Sequence, residues 1–223
     1  MTWFGFRGHH HWRDMSEYLV HFTGASEEGT ALDNLASILA DGFVRPSGPF
    51  GSARTLWALG DSQMSACFSE IPLDLLDRLV RRRSAYGVGF HQSRLIAQGG
   101  ARVWYVEADS ELGQTIAGWV TDEIGQWGSP LWQVTPFIDR PYGDDYQGYR
   151  FEWEREWRVR GGYPFEATEI ALIFAPQSDH RFLADYWEGY IGEAAEDMPL
   201  VVDPTWARSR LQRLFLGLEP EDV

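Results

Sequence analysis

Residues 151–160, FEWEREWRVR, are the stretch whose reading decides the sheet. They contain no Pro or Gly and alternate with period two, so they read as one strand. One face carries Trp153, Arg155, Trp157 and Val159; the other carries Glu152, Glu154, Glu156, Arg158 and Arg160. Three carboxylates in a row on one strand face repel one another unless a cation lies across them. A solvated outer face balanced by Arg158 and Arg160 meets that condition. So does a cleft that uses the acids, and the Trp pair asks for a buried sheet.

Outward from this strand, short elements alternate. Residues 101–107 (ARVWYVE) and 86–91 (YGVGFH) read as strands, the glycines of the second marking a close backbone approach. Residues 64–69 (MSACFS) and 17–23 (EYLVHFT) read as two more, and Ile170–Phe174 (IALIF) as a buried strand beyond the turn at Gly161-Gly162. A helix is expected over 30–41, with Thr30 and Asp33 capping its start, Leu32, Leu35, Ile38 and Leu39 on one face and Gly42 as its stop. Further helices are expected over 73–83, 110–126, 179–192 and 204–216, with a helical turn over 92–98 and a short apolar piece at Leu200-Val201-Val202. Residues 44–60, rich in Pro and Gly, read as a long loop of the kind that binds or covers ligands, and 128–149 as irregular. The expectation is one α+β domain over 1–223, with a mostly antiparallel or mixed sheet, flanking helices, an arm over 1–16 and a C-terminal helical segment over 179–223.

Composition narrows the function. Apolar residues make up 44% of the chain, with 11 Trp, 13 Phe and 9 Tyr, which specifies a folded core and not a disordered tail. A net charge of -14 argues against avid, sequence-independent binding to a nucleic-acid duplex, which depends on neutralising phosphates. The single Cys67 excludes an internal disulfide and any multi-cysteine zinc site. The chain has no lysine, so Schiff-base chemistry and a P-loop are excluded. No apolar run is long enough to span a bilayer and no secretory leader is evident, so a cytoplasmic protein without membrane attachment is expected. Adjacent His9, His10 and His11 rarely converge on one ion, and no HxxE or HExxH spacing accompanies them, so no metal site is expected.

Taken in order, Tyr18-Leu19-Val20-His21-Phe22-Thr23 with the Asn34-Leu35 helix, then Ala66-Cys67-Phe68-Ser69-Glu70, then Glu154-Arg155-Glu156-Trp157-Arg158 form a series. This series resembles the ADP-ribosyltransferase fold, and its opening looks like the DNA-targeting DarT branch. The set CFSEIPLDLL, YGVGF, ARVWYV and EREWRV is similar to AbiGi-type abortive-infection proteins, which guard bacteria against phage. The likeness covers roughly residues 17–160.

The resemblance implies a split sheet and cleavage of the nicotinamide–ribose bond of NAD, used as co-substrate, through an oxocarbenium-like transition state. On it, Glu156 is the carboxylate beside the developing cation, and Glu154 orients or deprotonates the acceptor, or else only pairs with Arg158. His21 and Thr23 would meet the adenosine ribose, and Ser69 the ribose or nicotinamide end. Arg54, or Arg45, would meet the diphosphate. The implied activity is modification of a protein or nucleic-acid target in phage defence or a toxin–antitoxin system. The DarT branch's target-reading segments have no match here, which with the negative charge disfavours DNA. The alternative is a non-enzymatic antitoxin or regulatory partner that keeps the fold, to which an acidic, lysine-free surface is suited.

Overall fold

In the computed structural model, residues 15–27, 29–70, 72, 75–142, 150–192 and 197–216 are described. The N-terminal arm with its three histidines lies outside them apart from its last two residues. In chain order the strands are β1 (Tyr18–Phe22), β2 (Phe43–Val44), β3 (Ser65–Ser69), β4 (Gly87–His91), β5 (Ala101–Arg102), β6 (Trp104–Tyr105), β7 (Ile138–Asp139), β8 (Glu156–Arg160), β9 (Tyr163–Pro164), β10 (Ile170–Phe174) and β11 (Leu200–Val202). The α-helices are α1 (Ala31–Asp41), α2 (Asp77–Arg82), α3 (Gln92–Ala97), α4 (Glu111–Asp122), α5 (Leu131–Val134), α6 (His180–Tyr186) and α7 (Arg208–Leu216). The result is a mixed α/β architecture with flanking helices, and the chain divides into two compact units.

The first unit comprises residues 1–43, 70–94 and 164–223. Its strands run in the order β11-β10-β4-β1; β1–β4 and β4–β10 pair antiparallel, and β10–β11 parallel. One face buries Tyr18, Val20, Leu172 and Phe174 with Leu76, Val202 and Leu211. Period two places Leu19 and His21 on the opposite face. Gly87 shows why the YGVGF stretch needs its glycine: a Cβ there would lie 2.7 Å from the His21 carbonyl oxygen.

Helix α1 follows its sequence signals. The Thr30 hydroxyl accepts from the Asp33 N–H at 3.2 Å while the Asp33 carboxylate accepts from the Thr30 N–H at 2.9 Å, a reciprocal cap. Gly42 ends the helix in the left-handed conformation at φ 60°, and Leu35, Ala36 and Leu39 are buried. Of the helix expected over 73–83, Asp77–Arg82 are α-helical, and residues 73 and 74 lie outside the described ones. That expected over 179–192 is α6 followed by a wider π turn at Trp187–Ile191, and that over 204–216 begins at Arg208.

The second unit comprises residues 44–69 and 95–163. Its strands run in the antiparallel order β3-β8-β5, beside a short parallel pair β6–β7. Here the reading of 151–160 as one strand is corrected. Phe151–Glu154 form a 3-10 turn, Arg155 takes a left-handed conformation at φ 46°, and only Glu156–Arg160 are strand. The reason lies in the partner. β3 is five residues long, and its register runs from Ser65 opposite Arg160 to Ser69 opposite Glu156. The β3–β8 ladder ends at the Ser69–Glu156 pair, and residues 151–155 close a local turn in which Arg155 N–H donates to Glu152 O at 3.2 Å.

The single strand expected over 101–107 is also split: Ala101–Arg102 pair with β8 and Trp104–Tyr105 with β7. The stretch read as irregular, 128–149, contains α5, a 3-10 turn at Thr135–Phe137 and β7, with 143–149 outside the described residues. The long loop over 44–60 runs into a 3-10 segment at Trp57–Gln63 and packs closely; a Cβ on Gly51 would lie 1.9 Å from the Thr135 carbonyl oxygen.

Candidate functional site

Strand register assembles the polar face of the second unit. On β8, Glu156, Arg158 and Arg160 point one way, opposite Ser69, Cys67 and Ser65 of β3. The other face carries Trp157 and Val159 against Phe68, with Arg102 over the Trp157 ring at 5.3 Å. Thus the alternation expected of this strand holds for its last five residues.

Arg158 is the hub. Its side chain is 3% exposed. Its Nε donates to Glu156 Oε1 at 2.8 Å and its Nη2 to Glu156 Oε2 at 3.2 Å and to Asp139 Oδ2 at 3.0 Å. Its Nη1 donates to the Pro136 carbonyl at 2.5 Å, and the guanidinium lies 4.4 Å from the centre of the Phe50 ring. Tyr105 completes the grip, its hydroxyl donating to Glu156 Oε2 at 2.5 Å. Asp139 is fixed in turn by Arg54 Nη1 at 2.7 Å, by the Gly51 N–H at 3.1 Å and by the Arg140 N–H at 2.9 Å. The formal charges of Glu156, Asp139, Arg158 and Arg54 sum to zero, the condition under which such a network tolerates burial.

The titration behaviour follows from this packing. Burial would weaken the Arg158 charge, but the adjacent Glu156 carboxylate more than offsets it, and the guanidinium is held firmly charged. Burial, followed by the Glu156 charge, pushes the Tyr105 hydroxyl far above its ordinary range, so it stays a donor. The same two causes push the Cys67 thiol up, which makes it a poor nucleophile.

The expected site residues fall as follows. Glu156 retains 16% side-chain exposure and faces Ser69 across the β3–β8 ladder. Glu154 is buried at 4% and precedes the left-handed Arg155, so it does not share the Glu156 strand face as expected. Arg158, the expected fallback partner of Glu154, pairs with Glu156 and Asp139. Arg54 lies in the second unit with one guanidinium nitrogen committed to Asp139.

His21 and Thr23 belong to the first unit. His21 is half-buried, in register with Val88. Thr23 is buried, and its hydroxyl donates to the Ala31 carbonyl at 2.7 Å, tying the end of β1 to the first turn of α1. Among the described residues no group of three His, Cys, Asp or Glu side chains is placed to hold a metal, and no helix is long and apolar enough to cross a membrane.

Sequence reasoning missed Tyr105 as a partner of Glu156 and Asp139 as a partner of Arg158. It put Arg158 on the Glu156 face, since residues two apart on a strand share a face, but named Glu154 as its partner. Tyr105 and Asp139 come from 51 and 19 residues away from the groups they bond, and no local pattern marks them. Compared with protein-family models, curated proteins and solved structures, the chain gives no match. The chain is therefore described as a mixed α/β protein with a largely buried polar strand face on which one glutamate is held by an arginine and a tyrosine.

Proposed function

We infer that the chain is an NAD-dependent ADP-ribosyltransferase of the abortive-infection, DarT-like kind, modifying a protein or nucleic-acid target in anti-phage defence. The observation that carries this reading is Glu156: a carboxylate fixed in orientation by Arg158 and Tyr105, still partly exposed, and opposite Ser69 on the neighbouring strand. A preoriented carboxylate is what an oxocarbenium-like transition state requires, since it stabilises positive charge without reorganising. Glu156 would accept from a hydroxyl of the nicotinamide ribose, with Ser69 beside it. The remaining donors of Arg54, in the same unit as Glu156, would serve the diphosphate.

One observation favours a second reading, a non-enzymatic antitoxin or regulatory partner. Arg158 contacts both oxygens of Glu156 and neutralises the charge that a cationic transition state would draw on. A carboxylate held in this way also serves as a purely structural anchor.

Nicotinamide release from NAD, measured with and without bacterial lysate, separates the two readings. For the enzyme, Glu156→Gln lowers release by about a hundredfold or more while the far-ultraviolet circular dichroism is retained. Equal silence of wild type and variant in both conditions would remove the transferase reading. Labelled NAD in lysate then identifies the acceptor.

A further inference from the structure

Helix α4 carries more apolar surface than the fold covers. Leu112, Ile116, Trp119 and Val120 follow the i, i+4, i+7, i+8 spacing of one apolar stripe. Only Ile116 and Val120 are buried; Leu112 is 41% and Trp119 50% exposed. The uncovered stripe continues beyond the helix. Val120 packs in a small cluster with Ala53, Leu59 and Trp132, and exposed indoles lie close to its members in sequence or in space. Trp119 is its neighbour on α4, Trp127 lies 6.2 Å from the Trp132 ring, and Trp57 stands two residues before Leu59, 91% exposed. Ile124 and Val134 are exposed in the same segment. Isolated exposed apolar residues are ordinary, but a run of this kind marks an interaction surface, and Trp is the residue most enriched where binding energy concentrates.

Charge says what covers it. Helix α4 itself contains no Lys, Arg or His, and acids flank it at both ends: Asp109 and Glu111 before and in its first turn, Asp122 and Glu123 at its close, all at least partly exposed. Nucleic-acid phosphates and anionic lipid headgroups are repelled by such a face. A second copy would set these same acids against themselves. A protein surface with an apolar ridge flanked by Arg or Lys satisfies both components. We propose that the exposed face formed by α4 with the indoles of Trp119 and Trp127 is a docking surface for a partner protein that presents a basic amphipathic helix. This goes beyond the transferase reading and holds whether or not NAD is consumed.

The test uses the full chain and two synthetic helical peptides of equal length, one of Leu and Lys and one of Leu and Glu, with binding read by fluorescence anisotropy. The Leu–Lys peptide binds and the Leu–Glu peptide does not. Trp119→Ser with Trp127→Ser weakens binding by about tenfold or more. Asp122→Asn with Glu123→Gln weakens it too and flattens its salt dependence. Tyr190→Ser with Leu200→Ser, which removes exposed apolar groups of the other unit, leaves it unchanged. The proposal is overturned if the Leu–Glu peptide binds as well, if the control pair weakens binding as much as the Trp pair, or if neither α4-face variant differs from wild type. A wild-type dimer in sedimentation that the Trp pair dissociates would overturn it in favour of a second copy.

Discussion

Arg158→Met is the perturbation that most directly tests the interior of the second unit. The substitution keeps the length and apolar bulk of the side chain and removes four hydrogen bonds: two to Glu156, one to Asp139 and one to the Pro136 carbonyl. The two carboxylates are not left equally exposed to the loss. Asp139 keeps Arg54, the Gly51 N–H and the Arg140 N–H, whereas among the bonds named here Glu156 keeps only the Tyr105 hydroxyl. Stranding one partner of a buried ion pair costs about 3–5 kcal/mol. Against a total stability on the order of 5–15 kcal/mol, that lowers the melting temperature by roughly 10 °C for a chain of this size.

The asymmetry gives a sharper expectation. In urea unfolding followed by circular dichroism, Glu156→Gln on the Arg158→Met background recovers part of the loss, with a coupling of about 1–3 kcal/mol. Asp139→Asn on the same background couples less, because Asp139 retains its other donors. A loss below about 1 kcal/mol for Arg158→Met, or additivity with Glu156→Gln, would refute the assignment of Arg158 as the hub of a mutually dependent network.

Other outcomes follow from single positions. Gly51→Ala meets the Thr135 carbonyl at a φ of +82°, so it destabilises by about 3 kcal/mol or more, whereas Gly161→Ala, with open space around it, loses only about 1 kcal/mol to its backbone conformation; urea midpoints compare them. Burial opposes ionisation of Asp203, yet hydrogen bonds from Thr205 and the Gln177 N–H hold its carboxyl below the usual range. Its contribution is therefore complete above the unfolded value of 3.8 and is lost as pH falls through the lower folded value, so wild type and Asp203→Asn converge in stability in acid unfolding. At the alkaline end, burial pushes the Tyr86 hydroxyl, which donates to Asp179 at 2.7 Å, up to about 12. This contribution is complete below the unfolded value of 10.0 and disappears as pH rises through about 12, a loss that Tyr86→Phe does not show when unfolding is followed across that range.

Local signals made much of this protein legible from sequence. Thr30, Asp33 and Gly42 bounded α1 because caps and left-handed stops act through the backbone within one turn. The strands at β1, β3, β4 and β10 were legible because period-two burial is written into adjacent residues. That Glu156 and Arg158 share a face belongs to the same class, since they are two residues apart on one strand, although the partner expected for Arg158 was Glu154. Tertiary structure alone decided that the Glu-rich strand begins at Glu156, where its partner β3 ends at Ser69, and that Glu154 is buried as the last residue of a 3-10 turn. It also decided that Tyr105 and Asp139 hold the Glu156–Arg158 pair, because a buried charge takes its partners from whatever the fold brings near, and sequence distance places no limit on that choice.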